Sequence, residues 1–145
     1  MPILPRDEAI AFNANVIEEF RANEGRVGGA LADSQIILVH HVGVRTGVER
    51  VTPLVCFPLG DGRRYVVTGS NGGSPVEPAW CHNLRALSRT TVEFGTGTFP
   101  VRVEDLDDTV REDVWSTLFP GSPSPHEFQN KSGRRLPVFL LTRED

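Results

Sequence analysis

Long apolar runs are missing from these 145 residues. No stretch approaches the roughly twenty apolar residues that a membrane-spanning helix needs, so no stable insertion in a bilayer is expected. Cysteine is scarce. Cys56 and Cys81 lie far apart and form no Cys-x-x-Cys unit, so two free thiols in a reducing compartment are expected rather than a disulfide. The start, Met1-Pro2-Ile3-Leu4-Pro5, turns acidic at once and lacks the basic-then-apolar order of a secretory signal, which points to a cytoplasmic protein. An excess of positive charge is also missing: 15 Lys and Arg stand against 19 Asp and Glu, a net charge of −4, which argues against a nucleic-acid partner. The four histidines show no metal-ligand spacing. His40 and His41 are neighbours on a predicted strand and point to opposite faces, and His82 follows Cys81 directly, so no metal site is expected. There is no Gly-x-Ser-x-Gly elbow for a hydrolase nucleophile.

What is present is an ordinary globular composition, 39% apolar and 23% charged, with a length that suits one domain over residues 1–145. The charge is unevenly spread. Arg45, Arg50, Arg63 and Arg64 face only Glu49 and Asp61 between residues 36 and 64, whereas residues 101–128 carry seven acids against two arginines. Local basic islands in an acidic chain suit a small anionic ligand better than a polyanion.

Apolar or small residues at Ala9, Ile10, Asn13, Val16, Ile17 and Phe20 predict a helix over about 6–23, ended by a Gly-rich segment. Strands follow at 35–42 and 50–59, with Pro53 and Pro58 marking edge or bulge positions. Gly60-Asp61-Gly62 closes a hairpin into a strand over 64–70. A short helix is predicted over 78–88, a hairpin over 90–94 and 98–105, a helix over 107–119 capped by Asp107 or Asp108, a loop over 120–124 and a last strand over 136–142. Two hairpins and few crossovers favour a mainly β, α+β fold. Its six strands would close into a small antiparallel barrel with flanking helices, which removes exposed edges.

Two segments could carry chemistry. Gly43-Val44-Arg45-Thr46-Gly47 turns between strands and is followed by Arg50. Exposed backbone N–H groups and two convergent guanidiniums can grip phosphate or carboxylate; on spacing alone the same turn is equally a hairpin loop with surface arginines. The second segment, Ser70-Asn71-Gly72-Gly73-Ser74-Pro75, leads into Pro78-Ala79-Trp80-Cys81-His82-Asn83-Leu84. Paired glycines let main chain approach a planar ligand, the helix start attracts anions or electron-rich ring atoms, and Trp80 and Asn83 can support and hydrogen-bond a ring. A plain loop followed by a core Trp is the alternative.

Taken in order, these elements resemble the deazaflavin-dependent (coenzyme F420) nitroreductases, a family of split-barrel flavin and deazaflavin oxidoreductases. The matching residues are Val42-Gly43-Val44-Arg45-Thr46-Gly47-Val48-Glu49-Arg50, then Thr52-Pro53-Leu54-Val55, Asp61-Gly62, and Ser70 through Leu84, continuing through Thr91-Val92-Glu93 and Phe128-Gln129 to Arg135-Leu136-Pro137-Val138. The resemblance implies a split β-barrel that binds F420. Arg45, Arg50 and Thr46 would hold its phosphate. Val51, Thr52, Pro53, Leu54 and Val55 would run along it, contacting it mainly through backbone, and Thr68, Gly69, Ser70, Asn71, Ala79, Trp80, Cys81, His82 and Asn83 would frame its ring.

Val44 and Asn71 stand where relatives often carry cations, and Phe128 and Pro125 fall near positions where nitro-reducing relatives carry tyrosines. The resemblance therefore implies hydride transfer from reduced deazaflavin to a quinone, enone or nitro acceptor without help from a loop phenol. On the substrate side, Ser124, His126 and Phe128 are the residues to consider. FMN on the same barrel, and a non-catalytic flavin or tetrapyrrole binder, remain alternatives, as do monomer and homodimer.

Overall fold

The computed structural model describes residues 6–69, 76–121 and 123–144. Helix α1 (Arg6–Ala22) leads through a 3₁₀ turn (Gly29–Leu31) to strand β1 (Ile36–Val42). Strands β2 (Glu49–Val55), β3 (Phe57–Pro58) and β4 (Arg64–Thr68) follow, then helix α2 (Ala79–Arg85). Strands β5 (Arg89–Phe94) and β6 (Gly97–Asp105), helices α3 (Asp108–Leu118) and α4 (Pro125–Ser132), and strand β7 (Val138–Arg143) complete the order. The sheet is antiparallel throughout and reads β2-β1-β5-β6-β7-β4-β3. No helix among the described residues is long and apolar enough to cross a membrane.

The split barrel expected from the sequence is present, but with seven strands, not six. The predicted strand 50–59 is broken at Cys56: β2 pairs with β1, and β3 pairs with β4 at the other end of the sheet. One stretch of chain thus supplies both end strands, and the sheet curls until they meet. Cys56 is 1% exposed, and its backbone N–H donates to Gln35 O at 2.9 Å. The prolines of this stretch, Pro53 and Pro58, both fall on end strands, where a missing N–H can face away from the ladder.

Helix α4 is the second departure, because no element was predicted there. Its N-cap, Ser124, accepts a hydrogen bond from Glu127 N at 3.2 Å, Pro125 occupies the first turn, and Gly133 ends it at φ 78°. The other helices lie where predicted, with Asp107 capping α3 by accepting from Val110 N at 3.0 Å.

The sheet is buried on both faces, which is why β1, β4 and β7 read as continuous apolar runs rather than alternations. Ile37, Val39, Tyr65, Val67, Val92, Phe99, Phe139 and Leu141 fill the barrel, together with Trp80, Cys81 and Leu84 of α2. The opposite face of β1 carries Ile36 and Leu38 against Val16 and Phe20 of α1, and Val66 and Val138 pack under Val114, Trp115 and Leu118 of α3. Arg21 at the end of α1 is clamped to Glu93 by two hydrogen bonds, 2.7 and 3.0 Å, and His40 Nε2 lies 2.8 Å from the same carboxylate. The Arg21 hydrogen bond is the main reason the Glu93 carboxyl titrates below its usual range.

Gly69 ends β4 under tight packing: a Cβ there would collide with Cys81 Sγ and with Pro137. Gly69→Ala is expected to lower stability by about 1–3 kcal/mol through overpacking, read as a lower urea midpoint with an unchanged slope. An unchanged midpoint would show that Cys81 and Pro137 yield freely.

Candidate functional site

Helix α2 plugs the barrel because three of its seven residues, Trp80, Cys81 and Leu84, are apolar and buried. Trp80 packs its ring on Phe139 with centroids 5.7 Å apart. Arg85 fixes the helix from outside, with hydrogen bonds to Glu77 at 2.8 and 3.2 Å and to Asp105 at 2.9 Å. That guanidinium holds the Glu77 carboxyl below its usual range. The β1–β2 turn is closed by Gly43 N–H to Val48 O and Gly47 N–H to Gly43 O, both 2.9 Å. A Cβ at Gly43 would lie 2.6 Å from Thr46 Oγ1, so glycine is required for the turn to fold over that hydroxyl, which itself accepts from Val48 N.

Between the turn, the inward face of β2, helix α2 and the first half of α1 lies an open cleft of about 670 Å³. Its walls include Arg45, Thr46 and Arg50 on one element pair and Ala79, Trp80, His82 and Asn83 on α2, with His41 and Thr52 on the strands. Ile10 and Asn13 of α1 complete it. Ile10 and Val44 are apolar yet 57% and 58% exposed, giving the cleft an apolar border.

Many arginines are paired with carboxylates: Arg21 with Glu93, Arg64 with Asp61, Arg85 with Glu77, Arg89 with Glu144, Arg102 with Glu104, Arg111 with Asp108 and Arg135 with Asp105. Arg45 and Arg50 have no carboxylate partner among the described residues, and both line the cleft. Two uncompensated guanidiniums beside a tryptophan-walled cleft suit a planar ligand with an anionic tail.

A buried hydrogen-bond chain underlies the cleft. Val44 N donates to Asn83 Oδ1 at 3.1 Å, Asn83 Nδ2 lies 2.9 Å from His41 Nδ1, and His41 Nε2 lies 2.7 Å from Thr52 Oγ1. His41 and Asn83 are each 4% exposed. Burial first, then the charge of Arg50 and the neighbouring His40, push the His41 imidazole down to about 4. Both thiols are buried in apolar surroundings. Burial raises Cys56 to about 12 and raises Cys81 as well, so neither is a nucleophile.

The structure brings Arg45, Thr46, Arg50, Thr52, Ala79, Trp80, His82 and Asn83 to one cleft. The other expected residues fall elsewhere. Val51 packs toward α1, Leu54 and Cys81 face the barrel core, Val55 is exposed, and Pro53 sits on end strand β2. Thr68 and Gly69 end the β4 segment, where Gly69 O accepts from Arg134 at 2.8 Å. Ser70 and Asn71 lie outside the described residues. Ser124, His126 and Phe128 belong to the α4 segment and do not line the cleft; Ser124 is spent on capping, His126 is exposed and Phe128 lies 5.3 Å beneath the Arg134 guanidinium. The only tyrosine, Tyr65, is in the barrel core against Phe94 and Phe99, so no phenol lines the cleft.

Sequence reasoning passed over Ile10, Asn13 and above all His41. The two histidines do point to opposite faces, His40 to Glu93 and His41 to the cleft. What was missing was a partner: Asn83 is 42 residues away, and neither residue alone announces the pairing.

The fold is that of a split barrel, and its cleft has the apolar wall and uncompensated cations that suit an anionic, ring-bearing ligand. Residues 14–143 match the F420H(2)-dependent quinone reductase family, and the chain belongs to it. It is therefore an F420-dependent oxidoreductase, and the reading with FMN is not favoured. An F420H(2)-dependent quinone reductase of Mycobacterium tuberculosis is 28% identical over 128 residues, covering 86% of this chain and 85% of the relative. A solved F420-H2 dependent reductase (FDR-A) is 29% identical with TM-score 0.57, over 73% of this chain and 92% of that one. A second solved chain, described as a domain-swapped dimer, is 25% identical with TM-score 0.59, over 94% and 99%.

The depressed His41 value has a stability consequence with a definite sign. A free imidazole titrates near 6.5, so between about pH 6.5 and about pH 4 the unfolded chain binds more protons than the folded one. The stability that neutral His41 contributes is complete above about pH 6.5 and is lost as pH falls toward about 4. Between about pH 7 and about pH 4.5 the urea midpoint of the wild type is expected to fall further than that of His41→Gln. Equal falls would exclude His41 as a contributor to acid lability.

Proposed function

We propose that the cleft holds F420 with Arg45, Arg50 and Thr46 on its phosphate and with Ala79, Trp80, His82 and Asn83 against its ring, and that the electron acceptor is a quinone. The observation that carries this reading is the pair of guanidiniums, Arg45 and Arg50, left without carboxylates on the wall of a cleft that also holds Trp80. Strand β2 lies along the same cleft through Arg50 and Thr52, so its backbone between Val51 and Val55 is the natural rail for the cofactor.

The reduced cofactor supplies a hydride from its C5 carbon, chemistry that asks the protein to position and desolvate. The chain's own residues meet that demand. Trp80 and Ala79 give the ring an apolar wall, the buried Asn83 fixes the turn that carries Arg45, and the cleft holds no side chain that must act as a nucleophile. Ile10 and Val44 at the border suit an apolar, planar acceptor, which favours a quinone over a polar substrate. No phenol stands at the cleft to donate a proton, so the proton that completes reduction comes from water entering the open side. Enones and nitro compounds are acceptors of the same kind, and the α4 residues Ser124, His126 and Phe128 remain those to vary on the substrate side.

Titration with oxidised F420 is expected to quench tryptophan fluorescence and to saturate, with FMN binding markedly weaker; reduced F420 should then turn over with menadione. Saturable F420 binding without turnover would reduce the protein to a carrier, and no F420 binding would overturn the reading. A second measurement separates charge from shape. Arg50→Ala should weaken F420 binding and flatten its dependence on salt, whereas Asn83→Ala should weaken binding with the wild-type salt slope retained. Equal slopes in the two variants would remove Arg50 from the phosphate.

A further inference from the structure

The direction of every hydrogen bond beneath the cleft follows from one backbone group. The Val44 N–H can only donate, and its partner is Asn83 Oδ1 at 3.1 Å. That assigns the Asn83 amide, so its NH₂ faces His41 Nδ1 at 2.9 Å, and an amide NH₂ cannot accept. Nδ1 is therefore the accepting nitrogen, and the proton of the neutral imidazole sits on Nε2. That N–H donates to Thr52 Oγ1 at 2.7 Å. Thr52 thus has one lone pair taken and its own proton to place. Among the described residues no protein group accepts that proton, and the side chain lines the cleft.

We infer that His41 is a positioning residue whose N–H commits the Thr52 hydroxyl to donating into the cleft, where a carbonyl oxygen of the bound ligand accepts. This rests on the functional reading above and sharpens it. Both the deazaflavin ring and a quinone carry such carbonyls, so the shared chemistry is a planar carbonyl acceptor. A carbonyl at this point takes the Thr52 proton, whereas a ligand offering only a donor would reach just the remaining lone pair and leave that proton without an acceptor in the complex. The register explains how two strands achieve this: His41 is paired with Arg50 across the ladder, and Thr52 stands two residues on from Arg50, so all three share the inward face. Around His41 lie the Arg50 guanidinium and Thr52 on β2, Asn83 and the exposed His82 on α2, Arg45 in the turn, the neutral Asn13 of α1 and the neighbouring His40, with Glu49 lining a second hollow that His41 also borders; among the described residues no carboxylate lines the cleft itself, and none is hydrogen-bonded to Nδ1.

The test combines spectroscopy, binding and kinetics. In ¹⁵N-histidine-labelled protein, His41 should show a protonated Nε2 and an unprotonated Nδ1 near neutral pH; a proton on Nδ1 would overturn the assignment. Thr52→Val should weaken oxidised F420 binding about five- to tenfold, or raise the menadione KM by as much with kcat unchanged, as expected for one lost neutral hydrogen bond. The first outcome places the ring carbonyl, and the second the quinone carbonyl, at Thr52. Thr52→Ser, which keeps the hydroxyl, should recover most of the loss. His41→Phe should reproduce Thr52→Val, with the double variant no weaker than either. Because His41→Phe also strands Asn83, His41→Gln keeps the inference testable if that variant fails to fold: it retains a donor for Thr52 and should stay within about threefold of wild type. If Thr52→Val changes neither quantity, or shifts one while both His41 variants leave it untouched, the inference falls and the functional reading stands. A wild type that does not bind F420 overturns both.

Discussion

Residues 49–58 belong to both ends of the sheet, and the single residue between the two pairings is Cys56. Because the strand cannot pair with β1 and β4 at once, it switches partners there, and the sheet has to curl to bring both within reach. Everything inward-facing on β1, β5, β6, β7 and β4 is thereby gathered into one core, which short strands in an open sheet could not bury. The small, buried Cys56 suits the switch point: it needs little room and keeps its backbone donor satisfied on Gln35.

Closure leaves an end of the barrel that α2 fills, and the functional cleft is a by-product of how it does so. Trp80, Cys81 and Leu84 commit the helix to the core, which carries Asn83 of the same helix to the mouth of the barrel beneath the β1–β2 turn. Asn83 then ties the turn to the helix through Val44 N, so Arg45 and Arg50 are held against an element they do not themselves bind. Among the described residues the two cations have no carboxylate partner, whereas many other arginines do. Uncompensated charge destabilises the free protein slightly and is kept where a ligand relieves it.

Much of this was legible in the sequence because it is local. The Gly43–Gly47 turn, the Asp61 hairpin, the Asp107 cap and the apolar face of α1 are each specified within a few residues. The spacing of Arg45 and Arg50 across a turn allows them to converge, and both do border one cleft. The rest depends on long-range events. The break at Cys56 has no local signal of its own in the apolar stretch 50–59, since it is decided by which strands lie alongside. Helix α4 did carry a signal, Ser124-Pro125-His126-Glu127, a cap with proline in the first turn and a glutamate at the third position, but it was masked by surrounding Gly, Pro and Ser. Along 51–55 strand geometry turns alternate side chains, Thr52 and Leu54, inward, and which of the two reaches the cleft is decided by the position of α2 rather than by the sequence of the strand.

His41 shows why a polar chain is retained in a place that could have been apolar. Replacing His41 and Thr52 by hydrophobic residues of similar volume would bury the same area with less polar desolvation, so stability alone does not call for the whole chain. What the polar chain adds is direction. A backbone N–H cannot change its role, an amide oriented by it cannot flip without losing a bond, and an imidazole with one nitrogen already accepting has a single tautomer available. Each member removes the freedom of the next, and the last member, a hydroxyl, has one lone pair taken by His41 and its proton free for the cleft. The arginines respond to charge and so tolerate any anion of suitable size. The Thr52 hydroxyl, fixed in this way, distinguishes between neutral groups that charge cannot tell apart, and for that the chain has to be buried, because water reaching His41 would offer both donor and acceptor and erase the preference.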